Sequence, residues 1–182
     1  MQWTWLFMGI ILGCAPPCWS AEPSSPYVGQ EKREIKALSE EEIQGYLSGS
    51  GMGFAKAAEL NHYPGPRHVL DLAEPLQLSE EQRRQTQTIF EDMKAEAVYL
   101  GKQLLDREHH LDTLFKAGTI SEGTLARLVA DIATIQGRLR AVHLRAHLAQ
   151  RYILTPDQLR HYDALRGYDV SSHDRTHPHR GH

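Results

Sequence analysis

The sequence is poor in cysteine. Cys14 and Cys18 are the two in a chain of 182 residues, and both fall in the first apolar stretch. No disulfide framework follows, and a thiol enzyme is not expected. Catalytic consensus patterns are also missing. The chain has no nucleotide-binding glycine motif, no phosphoryl-transfer signature and no serine-hydrolase elbow. It offers no paired carboxylates for acid–base work either, so it reads as a non-enzyme. An excess of one charge is absent: 20 Lys and Arg face 23 Asp and Glu, for a formal net charge of −3. Nothing there argues for nucleic acid as a partner. Long apolar runs are absent as well. Trp3 to Ala15 is short for a bilayer span.

What is present begins with an export pattern. Residues 1–20 read as a signal peptide, with the small residues Cys18 and Ser20 placed for cleavage before Ala21. The run Ile11-Leu12-Gly13-Cys14 also fits a lipobox, which leaves lipidation at Cys14 or a retained membrane anchor as alternatives. The expected location is the periplasm. Residues 21–37 are polar, contain Pro23 and Pro26, and read as a linker. Residues 38–168 carry helical patterning, and residues 169–182 form a His-rich tail that is disordered by composition.

Two boxes bracket the patterned region. Leu78-Ser79-Glu80-Glu81-Gln82 precedes it and Leu154-Thr155-Pro156-Asp157-Gln158 follows it. In each, a hydroxyl stands at an N-cap position with Gln three residues on, the capping-box spacing. Pro156 falls at the first helical position, where its missing N–H is harmless. Between the boxes, Phe90, Met93, Ala97, Leu100, Leu104, Leu111 and Leu114 alternate steps of three and four, broken at Arg107. Leu125, Leu128, Ile132, Ile135, Leu139, Val142, Ala146, Ala149 and Ile153 do so without a break. Sustained spacing of this kind is a coiled-coil-like seam. Gly118 suits the end of the first helix and Ser121 the cap of the second, so the two helices should pack antiparallel. That register sets His143 opposite Met93, and His109 opposite the region of Arg127. Upstream, Ser39 opens a short helix to about Leu47. Gly49, Gly51 and Gly53 then imply a tight turn or a close backbone approach. Phe54 to Leu60 and Arg67 to Leu76 read as two further short helices, and Thr155 to Arg166 as a closing one. The expected fold is all-α: a long antiparallel hairpin with short helices at both ends, forming a homodimer.

Eleven histidines stand out, all from His62 onward. His143 and His147 have the i,i+4 spacing that lets two imidazoles share a transition metal such as Zn, Cu, Ni or Co. His68 is the leading third-ligand candidate, with Glu59 and His62 behind it. The alternative is structural: His143 partly buried against backbone, His147 solvated beside it. His173, His177, His179 and His182 give the tail loose metal-binding character, or simply a solvated one. Arg138, Arg140 and Arg145 lie on the long second helix, with Leu144 and Leu148 as a second apolar stripe. A helix with two apolar faces wants two partners. These five residues are candidates for gripping a protein client, and internal packing is the alternative.

Two L-[ST]-x-x-Q boxes around a helical hairpin, behind an export signal, resemble the LTxxQ-motif proteins. These are the Spy/CpxP-like periplasmic family. The stretch from Gly51-Met52-Gly53 to Asn61-His62-Tyr63-Pro64-Gly65-Pro66 is similar to the heavy-metal-sensor and zinc-resistance-associated members. The resemblance implies a metal-binding or metal-responsive stress protein. It equally implies an ATP-independent chaperone or inhibitory adaptor that holds unfolded periplasmic proteins or a membrane signalling protein in a dimeric cradle.

Overall fold

The structure is a computed structural model that describes residues 25–168. Residues 1–24, with the expected signal peptide and Cys14 and Cys18, and residues 169–182, with His173, His177, His179 and His182, lie outside the described residues. Among the described residues six α-helices follow one another: α1 (Glu40–Ser48), α2 (Lys56–Glu59), α3 (Pro66–Asp71), α4 (Glu80–Ala117), α5 (Glu122–Ile153) and α6 (Pro156–Arg166). Among the described residues there is no strand, and no helix is long and apolar enough to cross a membrane.

The long pair α4 and α5 forms the hairpin, and its ends are set by local chemistry. Ser79 and Thr155 each accept the N3 amide of the following helix, while Gln82 and Gln158 reach back to the cap amides. Gly118 ends α4 at φ 66°, left-handed backbone that a side chain would strain. Ser121 caps α5. The expected helix Arg67 to Leu76 is shorter than its apolar pattern. It stops at Asp71, and turns carry the chain to Gln77, whose φ is 49°.

The seam buries Ala97, Leu100 and Leu104 of α4 against Ile132, Ile135, Leu139 and Val142 of α5. Each fully buried aliphatic side chain of this kind contributes roughly 1.5–3 kcal/mol. Helix α1 crosses α4 and adds Tyr46 to the same core. The crossing is close because position 101 is glycine: a Cβ there would lie 2.4 Å from the Tyr46 carbonyl oxygen. Ile35 and Leu38 also join this core, and Lys36 pairs with Asp112 at 3.0 Å. The polar stretch before α1 is thus packed from Ile35 onward, anchored by two apolar side chains too few to register as periodicity.

A second cluster closes the base, where the helix ends meet. Val69, Leu76, Leu154 and Tyr162 are buried there, with Leu78 and Leu159 against them. The two boxes meet at this point. Gln82 Nε2 donates to Gln158 Oε1 (2.8 Å) and to the Ile153 carbonyl (2.9 Å). Gln158 Nε2 donates to Gln82 Oε1 and to the Leu76 carbonyl, both at 3.1 Å. Each Gln therefore caps its own helix with its oxygen and holds the other box with its nitrogen. Glutamate, with no donor, performs only the first task.

Candidate metal centre

The site grows out of the way α2 and α3 fold over α5. Three fastenings hold the connecting turn, residues 60–65. His62 adopts φ 64° and its Nδ1 lies 2.9 Å from Asp163 Oδ2. Arg151 donates to the His62 carbonyl, and its guanidinium stacks 4.6 Å over the Tyr63 ring. The Tyr63 carbonyl accepts from His147 Nδ1 at 2.8 Å.

That last bond fixes a tautomer. A carbonyl only accepts, so the His147 proton sits on Nδ1 and the lone pair is left on Nε2. Nε2 looks into the space beside Gly65, where an added Cβ would stand 3.0 Å from it. One turn earlier, His143 is 2% exposed and stacks on Phe54 with centroids 5.6 Å apart. Its Nε2 is buried and has no hydrogen-bond partner. Burial lowers the proton affinity of both rings. For His143 the neighbouring His147 adds to that effect, and for His147 the Tyr63 carbonyl and Glu59 partly oppose it. Both imidazoles are therefore held neutral, the form that binds metal.

His143 and His147 line a cavity of about 330 Å³ between α1, α3, α4 and α5. His68 and Met93 stand on its wall, together with Arg67 and Lys94. Met93, which the helical register sets opposite His143, lines the same cavity. A larger groove of about 580 Å³ by α1, lined by Glu41, Glu42 and Met52, has no histidine in its wall.

Behind His147 stands Glu59, 8% exposed, which sequence offers only as a secondary ligand candidate. Its Oε1 accepts from Tyr162 Oη (2.6 Å) and Tyr168 Oη (3.3 Å). His68 Nδ1 and Arg166 Nε each stand 3.3 Å from the same oxygen as ion-pair partners. Oε2 accepts from the Gly65 amide at 3.1 Å and lies 3.7 Å from His147 Nδ1. Burial alone would raise this carboxyl. The hydrogen bonds from His68 and Tyr162 overcome that and hold it at about 2.

The three candidate ligands thus reach one cavity, by different routes. His143 and His147 present free nitrogens, whereas His68 turns Nδ1 toward Glu59 and Tyr162. Among the described residues, no three His, Cys, Asp or Glu side chains converge as a ready-made metal cage. His147 is buried rather than solvated, because the turn at Tyr63 covers the face that its own helix leaves open. Glu108, His109 and His110 lie farther along α4 and form no part of the cavity wall. Along α5, Arg138, Arg140, Arg145 and Leu148 are exposed and Leu144 is half-buried; Arg145 reaches across to Glu96 of α4 at 3.7 Å.

A sequence model of one family, described as heavy-metal resistance, matches residues 51–161. The matched stretch opens at the glycine turn before α2 and ends inside α6, so it contains the cavity wall except for Ser48, Gly49 and Ser50. No curated protein and no solved structure matches the chain.

Proposed function

The chain belongs to the heavy-metal resistance family, and from that premise we propose that it is an exported, non-catalytic metal-binding protein of the envelope stress response, with its site at His143 and His147. One observation carries the reading. Two neutral imidazoles, one turn apart and walled by packed helices, leave ring nitrogens without partners. A buried polar atom without a partner costs about 1–3 kcal/mol, and a bound metal removes that penalty at His143. The Tyr63 carbonyl on His147 supplies the support that orients metal-ligating histidines elsewhere. Because α1, α3, α4 and α5 meet at this cavity, occupancy changes how the short helices sit on the hairpin, which makes the protein metal-responsive as well as metal-binding.

The test is titration of the full chain with Zn, Cu, Ni and Co salts, with His173, His177, His179 and His182 changed to Asn to silence the tail. One metal per chain, abolished in His143→Ala/His147→Ala, is the expected result. Stoichiometric binding unchanged in that variant would remove the site.

A second reading rests on the outer face of α5. Leu148 and Tyr152, one turn apart, are 48% and 88% exposed beside Arg138, Arg140 and Arg145. An apolar and basic stripe of that kind suits an unfolded client or a second subunit. Suppression of client aggregation at near-stoichiometric ratio, lost in Leu148→Glu/Tyr152→Glu, would support it. No suppression across several clients would end it.

A further inference from the structure

The cavity's charge and donor set say which metal it takes. We propose that it is built for a soft monovalent cation, Cu(I) or Ag(I), held by His143 and His147 with the Met93 thioether as third donor. The inference rests on the reading of this cavity as a metal site and goes beyond it to the class of metal.

The donors come first. Two neutral imidazoles stand on one wall and Met93 on the facing helix. A thioether is a soft, weak donor that favours Cu(I) over harder dications. Divalent zinc, nickel or cobalt takes three or more His, carboxylate or thiolate ligands, and among the described residues no three His, Cys, Asp or Glu side chains converge. A closed-shell monocation is satisfied by two or three neutral donors.

Charge points the same way. The wall contains Arg67 and Lys94 and no carboxylate. Arg67 is partly offset by Asp71, 3.1 Å away, while the Lys94 ammonium lies 5.9 Å from the Phe90 ring centroid. The nearest buried carboxylate is Glu59, and it is already matched by Arg166 and by the two tyrosine hydroxyls. A dication in this cavity would bring two charges with no anion free to meet them. The work of desolvating an ion rises with the square of its charge, so a dication costs about four times as much as a monocation of equal size. The arrangement therefore discriminates against divalent ions by what it omits as well as by what it offers.

The experiment uses the full chain with the four tail histidines changed to Asn, under anaerobic conditions. Cu(I) binding is read by competition with a chromophoric chelator. Native mass spectrometry reads Ag(I), Zn(II), Co(II) and Ni(II). One Cu(I) or Ag(I) per chain, tighter than any dication, is expected. Met93→Leu, which conserves volume, should weaken the monovalent ions by about tenfold or more and leave the dications unmoved. Arg67→Gln with Lys94→Gln should narrow the preference. Dications bound through His143 and His147 as tightly as Cu(I), with Met93→Leu silent, would overturn the monovalent assignment while leaving the site standing. No metal of either class at these histidines, in a protein that melts normally, would overturn both.

Discussion

The hairpin seam and the base of the molecule are held by opposite means. The seam is Leu, Ile, Val and Ala packed along two helices. Its stabilisation grows with buried area, ignores pH and is shared over many side chains. The base collects α2, α3, α5 and α6 on one carboxylate: Glu59 meets Gly65, His68, His147, Tyr162 and Arg166. Stabilisation there is directional and concentrated. The difference teaches where rigidity is placed. The seam gives a stiff rod, and the base fixes two short helices that could not hold their position by propensity alone. The candidate metal ligands lie at the border between the two, His143 on the seam side and His147 on the side of Glu59.

The largest expected effect is from breaking the hub. Glu59→Ala leaves the buried Tyr162 hydroxyl and the Gly65 amide without their acceptor and Arg166 without its ion-pair partner, and should cost about 3–5 kcal/mol in chemical denaturation. Leu100→Ala in the seam, at 0% exposure, should cost about 2–5 kcal/mol. The sharper contrast is specificity: the Glu59 variant should lose hydrogen-exchange protection first in α2, α3 and α6, whereas the Leu100 variant weakens the whole hairpin. Uniform loss in both would erase the distinction.

Acid separates the regions next. Glu59 is held at about 2, below its ordinary 4.5. A lowered carboxyl stabilises the fold above its unfolded value and loses that contribution as pH falls toward the folded one. Stability should drop by on the order of 3 kcal/mol between pH 4.5 and about 2. Glu59→Gln should flatten the curve in that window. An unaltered acid limb in Glu59→Gln would show that the hub carries no such linkage.

Gly101→Ala probes the seam at its tightest crossing. The new methyl meets the Tyr46 carbonyl backbone, which cannot swing aside, so about 1–3 kcal/mol of strain is expected. Gly123→Ala, with open space around it, is the control and should be neutral or slightly stabilising.

The smallest effect compares the capping boxes. In α1 the box uses Glu42, which accepts from Ser39 and has no partner on another element. In α4 and α6 the boxes use Gln, whose nitrogens join the two boxes. Glu42→Gln should change stability by a few tenths of a kcal/mol. Gln82→Glu should cost about 1–3 kcal/mol, since it deletes two donated bonds and sets a charge against the Gln158 oxygen. Equal effects at both sites would mean that the amide pair does nothing beyond capping.

Sequence rules reach some of this and not the rest, for a physical reason. Caps at Ser39, Ser79, Ser121 and Thr155 and the turn at Gly118 depend on neighbours a few residues away, so they can be read from the chain. The second bond of each Gln, the burial of His147 and the centrality of Glu59 depend on partners far along the chain; Glu59 and Tyr162 are 103 residues apart. The buried Thr86–Gln150 bond, 3.1 Å between helices, is hidden for the same reason, because neither residue belongs to the apolar pattern.

The measurement that tests the metal site most directly is imidazole nitrogen NMR of the full chain through addition of one equivalent of metal. The account predicts that the Nε2 resonance of His147 and one ring nitrogen of His143 shift together and saturate at one equivalent, with the His147 proton remaining on Nδ1. Shifts confined to His173, His177, His179 and His182, with His143 and His147 unmoved, would contradict it.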